Sequence, residues 1–340
     1  MRKGRLSFWG KFLASPGYIK PYLPIVDQIQ LIRSRGMEIS DQAAAQACLQ
    51  RIGYYRLSGY WYPFRTTRSV AGAAGASPIL VVDDTFKTGT HFRQVMELYV
   101  FDKRLRLLFL DAIERIEVAL RVDLALMLGQ RNRLAHRDPP QFEAFFLKPN
   151  SVGETPHGKW LTKVDEGFQR SKEEFVKHFK AKYPGDFPPI WIAIELWDFG
   201  ALSTLLGGLK FADRTQLASR FGLPRPDLLT AFTRNLNNVR NICAHHGRRW
   251  NRSPADRLAP PRRGEIALLE HLVGDVHAQS RIYATAAFIQ HLLRTINPAS
   301  TALYPYLSAG QILPIRSHLA TWTSRARSSA PFLSLKASPM

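Results

Sequence analysis

The chain has 340 residues, 45% hydrophobic and 22% charged, enough to bury a sizeable core in one large domain or two smaller ones. Lys and Arg number 47 against 27 Asp and Glu, a formal net charge of +20. Such a surplus attracts polyanions, so nucleic acid is the expected partner and an anionic membrane surface its rival.

Two cysteines, Cys48 and Cys243, exclude a disulfide framework and a zinc ribbon, and they fit a reducing, cytoplasmic location. The opening Met-Arg-Lys lacks the apolar core of a signal peptide, because Ser7, Gly10 and Lys11 break the stretch Leu6–Leu13. No apolar run reaches the ~18 residues that span a bilayer. The longest candidate, Pro189–Leu206, contains Glu195 and Asp198, so no membrane segment is expected.

In chain order, residues 1–19 read as a basic arm. Leu23–Arg35 has helical apolar spacing (Ile25, Ile29, Ile32) and stops at Gly36. Ser40-Asp41 caps a helix through about Ile52, and Gly53 ends it. The aromatic-rich YYRLSGYWYPF follows at Tyr54–Phe64. Residues 66–82, rich in Gly, Ala and Ser, read as a flexible surface loop.

A long helix is expected over Phe92–Leu128. Leu98, Phe101, Leu105, Leu108, Ala112, Ile116 and Leu120 trace its buried stripe, and Asp102, Arg106, Glu114, Glu117 and Arg121 lie between them. Residues 131–162 read mostly as loop. Helical signals return at Val164–Lys182, Ile190–Leu209, Ala212–Phe221 and Asp227–His246, then at Leu268–Thr295 and Pro314–Thr323, with a Pro- and Arg-rich loop at 253–264. No segment sustains a period of two. The expected fold class is all-α, a helical bundle with an N-terminal helical extension and long loops. Residues 1–90 form the N-terminal helical region with its arm and loop, 91–300 the main helical domain, and 301–340 a C-terminal helix and disordered tail.

The chemistry gathers in RNLNNVRNICAHHGRRWNR, Arg234–Arg252. Asn is a poor helix former, so Asn235, Asn237, Asn238 and Asn241 together are costly unless they serve a purpose. Leu229, Phe232, Leu236, Val239 and Cys243 still trace a buried stripe, which leaves the polar groups on the flanks of an anchored helix. Arg240 and His245 stand in an Arg-x4-His pattern with Asn241 directly after the arginine.

R-N-x-x-x-H resembles the HEPN nuclease motif. The wider run Arg240-Asn241, Cys243-Ala244-His245-His246 and Trp250-Asn251-Arg252 resembles the signature of Abi-like abortive-infection proteins. Ser34–Gly36, IGYYRLSGY at Ile52–Tyr60, IERIEVALR at Ile113–Arg121 and the Trp191/Glu195/Phe199-Gly200 block fit the same family, in its order. The last motif is usually RLWN; here Arg249 stands at its apolar position.

The resemblance implies a HEPN-like bundle and a metal-independent endoribonuclease of bacterial phage defence. It also implies 2′,3′-cyclic phosphate products, no cofactor and a homodimer in which each chain supplies half of a composite site. Histidine can serve as acid or base near neutrality, and the arginine fork matches phosphate oxygens. Arg240, Asn241, His245 and His246 are therefore the expected catalytic group. Asn237, Asn238, Arg248, Arg249, Asn251, Arg252, Tyr55 and Arg56 are the expected RNA contacts. A non-catalytic RNA-binding module of a defence or toxin–antitoxin system is the alternative.

One geometric point resists. Five residues on an ideal helix turn about 500°, which sets Arg240 and His245 roughly 140° apart, whereas Asn241 and His245 share a face. Either the helix distorts before Gly247 and turns His245 inward, or Arg240 reaches around. Plain readings stand beside the functional ones. Arg131 and His136 repeat the spacing and read as a basic helix end rather than a second motif. Cys243 with the two histidines reads as a core residue rather than a metal ligand. Tyr54, Tyr55, Tyr60, Trp61 and Tyr62 read as a core layer before a base-stacking platform. Glu114 and Glu117 read as partners of Arg121 or Arg240 rather than as an acid/base pair.

Overall fold

The computed structural model describes residues 21–70, 79–252, 261–279 and 282–298. The arm at 1–19, the expected helix at Pro314–Thr323 and the tail lie outside them. The chain divides into two compact units, with the boundary after Tyr99.

The first unit opens with α1 (Ile25–Ser34) and α2 (Gln42–Ile52). Asp41 accepts the Ala44 N–H at 2.9 Å, satisfying one of the donors that a helix start leaves over. Gly53, at φ 89°, turns the chain directly into α3 (Tyr54–Trp61). A hairpin of β1 (Arg65–Val70) and β2 (Ile79–Phe86) follows, antiparallel, pairing Arg65 with Phe86 and Thr67 with Val82. This corrects the expected loop at 66–70 and 79–82; its middle, 71–78, lies outside the described residues. No alternation announces either strand. Their pairing is carried by the ladder and by cross-strand partners such as Arg68–Asp83 at 2.9 Å and the Thr66–Thr85 hydroxyls at 2.7 Å. The core of this unit is Ile29, Ile32, Leu49, Leu57, Tyr60, Trp61, Phe86 and Val95.

The unit boundary falls inside α4 (Phe92–Gly129), which matches the long helix expected from the sequence. In the second unit come α5 (Ala144–Leu147), α6 (Pro156–Arg170), α7 (Glu174–Lys182), α8 (Ile190–Ala193) and α9 (Phe199–Gly208). They are followed by α10 (Phe211–Arg220), α11 (Pro226–Ala244), α12 (Val276–Gln279) and α13 (Ile282–Ile296). The stretch 131–162 is less of a loop than expected. It holds two 3₁₀ turns and α5, and Thr155 caps α6 with Pro156 in the first turn.

Helix α9 is apolar nearly all round, as a central helix must be. Phe199, Leu202, Leu205 and Leu206 are fully buried, each contributing roughly 1.5–3 kcal/mol by leaving water. Helix α9 packs against α11 (Leu229, Phe232, Leu236) and α6 (Trp160, Val164), and the same core takes in α4 (Phe109, Ile113, Ile116, Leu120) and α13 (Phe288, Ile289). The rings of Phe232 and Phe288 meet at 3.9 Å. The expected stripe of α4 is buried at Ala112, Ile116 and Leu120 and half-buried at Leu98, Phe101, Leu105 and Leu108, and the buried face also takes in Asp102, Arg106 and Glu117, at 0%, 5% and 8% exposure. Polar residues at helical spacing were read as flanking because nothing local distinguishes a buried carboxylate from a solvated one. Among the described residues no helix is long and apolar enough to cross a membrane.

Candidate active site

Pro226 and Asp227 start α11 as first-turn residues should, and Leu229, Phe232, Leu236, Val239 and Cys243 bury one face. Of the four asparagines, Asn235 is drawn inside and accepts from the Thr285 hydroxyl at 3.3 Å. Asn237 and Asn241, one turn apart, are half-buried. The Asn241 amide donates to Asn237 Oδ1 at 3.4 Å, and Arg240 Nη1 donates to Asn241 Oδ1 at 3.5 Å. These long contacts line up Asn237, Asn241 and Arg240 in one polar row, with Asn238 half-buried beside it.

Two carboxylates set the electrostatics of that row. Glu117 on α4 pairs with Arg121 at 2.6 Å, and the Arg121 guanidinium also donates to the Trp197 carbonyl at 2.8 Å. Burial holds the Glu117 carboxyl above the usual range, against the opposing pull of Arg121 and Arg240. Asp198 caps α9 through the Ala201 N–H at 2.6 Å and pairs with Lys163 of α6 at 2.8 Å. Burial pushes its carboxyl up, but Lys163, the Ala201 N–H and Arg240 together outweigh that and hold it below the usual range. Gly200 allows the close approach here, since a Cβ on it would stand 3.2 Å from Asp198 Oδ1 and 3.4 Å from Asn237 Nδ2. Of Glu114 and Glu117, both expected as partners of Arg121 or Arg240, Glu117 takes that place and Glu114 is exposed, while Asp198 and Lys163, brought in by α9 and α6, are not announced by the sequence.

The helix end resolves the spacing question. The His245 N–H still bonds the Asn241 carbonyl at 2.9 Å, so His245 keeps helical register with Asn241 and is exposed. The reversal comes one residue later. His246 sits at φ 56°, its N–H bonds Cys243 O at 3.1 Å, and the Gly247 N–H bonds Ile242 O at 2.8 Å. That pair of bonds is a Schellman cap whose left-handed position holds a histidine in place of the usual glycine. The distortion before Gly247 thus falls beyond His245 and does not turn it inward.

After the cap, Arg248-Arg249-Trp250-Asn251 is strapped down by Asp102. Its carboxylate pairs with Arg106 and accepts the N–H groups of Arg249 at 3.1 Å and Trp250 at 2.6 Å. Arg249 has no exposed surface, so it is withdrawn from the solvent-facing contacts expected for it. Its Nη2 donates to the Thr285 hydroxyl at 3.4 Å, its guanidinium lies 6.0 Å from the Phe109 ring, and burial lowers its pKa. Arg248 is half-buried, while Asn251 (at φ 51°) and Arg252 are exposed.

Cys243 is buried at 1% exposure, and burial pushes its thiol up to about 11, in keeping with a core role. Among the described residues no group of three or more His, Cys, Asp or Glu is placed to hold a metal ion. The repeated Arg131/His136 pattern is taken up by packing. Arg131 forks onto Asp213 at 2.5 and 2.8 Å, and His136 is buried against Trp160 and Trp197. In the first unit, Tyr60 and Trp61 are core and Tyr54 meets Trp61 edge-on at 4.9 Å, whereas Tyr55 is 92% exposed and Arg56 lies beside it on the surface.

Comparison with known proteins adds one finding. The family model described as Abi-like protein matches residues 47–251, from within α2 to just past the strap. A search of curated proteins finds no match, and neither does a search of solved structures. With more than half of its 340 residues inside the family match, the chain belongs to the Abi-like proteins, a family of abortive infection in phage defence.

Proposed function

We propose that this chain is an endoribonuclease of the HEPN kind, which cuts RNA by attack of the 2′-oxygen on the adjacent phosphorus without a metal ion. A base takes the 2′-OH proton, the O2′–P bond forms, the P–O5′ bond breaks, and an acid protonates the departing 5′-oxygen. The products are a 2′,3′-cyclic phosphate and a 5′-hydroxyl. His245 serves as acid or base. Arg240 stabilises the charge on the phosphorane, where a preplaced cation is most effective. Asn241 stands between them, touching Arg240 with its side chain and His245 through the backbone, and Asn237 steadies its amide. His246, Asn238, Arg248, Asn251 and Arg252 flank the scissile phosphate, and exposed Tyr55 and Arg56 offer a stacking ring and a cation to single-stranded RNA.

The single observation that carries this reading is an exposed histidine held in register with Asn241, at the end of a row that carries a half-buried arginine. A second copy of the chain supplies the other half of the site, giving two Arg240/His245 pairs about a two-fold axis.

The test is to incubate the full-length protein with mixed RNA in EDTA and assay for cyclic-phosphate ends. Cleavage by the wild type, lost by at least about 100-fold in His245→Ala and in Arg240→Ala, is the expected result. Tight RNA binding with no cleavage in any condition would overturn the nuclease reading in favour of a binding module. Sedimentation of the active species as a monomer would remove the two-copy site.

A further inference from the structure

Away from the α11 row, a cavity of about 140 Å³ opens between α6, α7 and the turn that leads into α8. Its walls include Phe168 and Asp165 of α6, Lys180 of α7, and Tyr183, Asp186 and Phe187 of the turn. We propose that it binds a single unstacked guanine base, as a free nucleotide or from an RNA strand. The proposal is independent of whether the α11 row cuts RNA.

Shape comes first. Arg137 lays its guanidinium 3.6 Å from the centre of the Phe187 ring, and Asp165 grips the same guanidinium at 2.6 and 3.0 Å. Phe187 is therefore fixed from one side by Arg137, itself held by Asp165. The ring still lines the cavity, where Arg137 does not, and a base can stack there on a ring that needs no ordering. Tyr183, packed at 5.2 Å against Phe179, adds a second aromatic wall.

Chemistry then selects the base. Lys180 lies 5.0 Å from the centre of the Phe168 ring and donates to the Gln169 carbonyl at 2.9 Å, leaving its other protons for a ligand. A lysine beside a base edge matches guanine O6 and N7. Asp165 has both oxygens engaged by Arg137, but Asp186 offers an exposed carboxylate on the cavity rim. Two carboxylate oxygens fit two adjacent donors. Guanine presents such a pair, N1–H and the 2-amine, on its Watson–Crick edge. Adenine and cytosine set one amine beside an acceptor, and uracil sets one N–H between two carbonyls, so each brings a lone pair towards the carboxylate. A site made of one cation and one free carboxylate on an aromatic floor is complementary to guanine and mismatched to the rest.

Calorimetric titration of the full-length protein with the 5′-monophosphates of guanosine, adenosine, cytidine and uridine tests this. Guanosine monophosphate should bind at least about tenfold tighter than the other three, since a site built for paired donors rejects a ligand that lacks them. Asp186→Asn should erase that preference. Phe187→Ala should weaken all four by about tenfold, the loss of one stacking contact, and Phe187→Tyr should restore binding. Asp186 and Phe187 are both exposed, so neither change threatens the core, and circular dichroism checks the fold. Equal affinity for the four nucleotides, no binding at millimolar concentration, or binding that follows Arg240 and ignores Phe187 and Asp186 would overturn the proposal.

Discussion

The Asp102 carboxylate accepts the backbone N–H of Trp250 at 2.6 Å, joining α4 to the segment that follows His245 across 148 positions of sequence. The same carboxylate faces Arg106 and the Arg249 N–H, so one buried acid is shared between two buried arginines and a strap of backbone. Asp102→Ala deprives the Arg106 guanidinium of its buried counter-ion, leaves the Arg249 and Trp250 N–H donors without their acceptor and removes a nearby negative charge from Arg249. A loss on the order of 3–5 kcal/mol is expected from urea denaturation. Arg249→Leu leaves a neutral Asp102–Arg106 pair and puts an apolar side chain at a fully buried position. It should cost less than about 1.5 kcal/mol, and a larger loss would show that the strap depends on the guanidinium itself.

Gly200 is the point where the site can be disturbed without touching the core. An added methyl would press on Asp198 Oδ1 and the Asn237 amide, each of which would have to yield by a few tenths of an ångström. Gly200→Ala should change the unfolding free energy by less than about 1 kcal/mol, because alanine suits a helix better than glycine and offsets the crowding. RNA cleavage should fall by at least about tenfold, as a misplaced polar row weakens transition-state contacts. Unaltered cleavage would separate Asn237 from the chemistry.

His246 occupies a left-handed cap position where an L-residue is strained and glycine is not. His246→Gly should therefore raise stability by about 0.5 kcal/mol in denaturant midpoints. If the imidazole serves the reaction, the same variant loses cleavage activity, and strain has been kept for function. A variant both more stable and fully active would reduce His246 to a cap.

His136 gives the fold an acid limit. Burial is the main cause of its pKa falling to about 3, helped by the nearby Arg137 charge, and its Nδ1 is buried without a hydrogen-bond partner among the described residues. The unfolded chain binds this proton near pH 6.5 and the folded chain only near pH 3. Stability is thus full above pH 6.5 and declines as the pH falls towards 3, by about 1.4 kcal/mol per unit from this group. Burial also lowers the pKa values of His157 and His291, which act in the same direction. Comparing unfolding at pH 7.5 and pH 4.5, His136→Leu should show a shallower decline than the wild type. Equal slopes would assign the acid sensitivity to the other two histidines.

Several helices are legible in local signals, although the Thr155-Pro156 start of α6 falls in the stretch expected as loop. Asp41 and Gly53 bounded α2, and the long periodic run gave α4 to within a residue. The hairpin was not legible, because two short strands with little alternation are fixed by each other rather than by either sequence alone. The α11 residues could be named in advance, since Arg240, Asn241 and His245 are neighbours in sequence. Their surroundings could not. Asp198 and Lys163 arrive from α9 and α6, and Asp102 looked like one more polar residue on a helix. Arg249 looked like one more surface cation for the same reason: pairing and burial are tertiary facts.

Because α4 carries both Asp102 and Glu117, its second-unit portion braces the strap at one point and the arginine row at another, about 22 Å apart along its axis. Opening of that helix would release both braces in a single event. In native-state hydrogen exchange, the amides of Arg249 and Trp250 should then report the same opening free energy as those of mid-α4, behaving as one cooperative unit despite their distance in sequence.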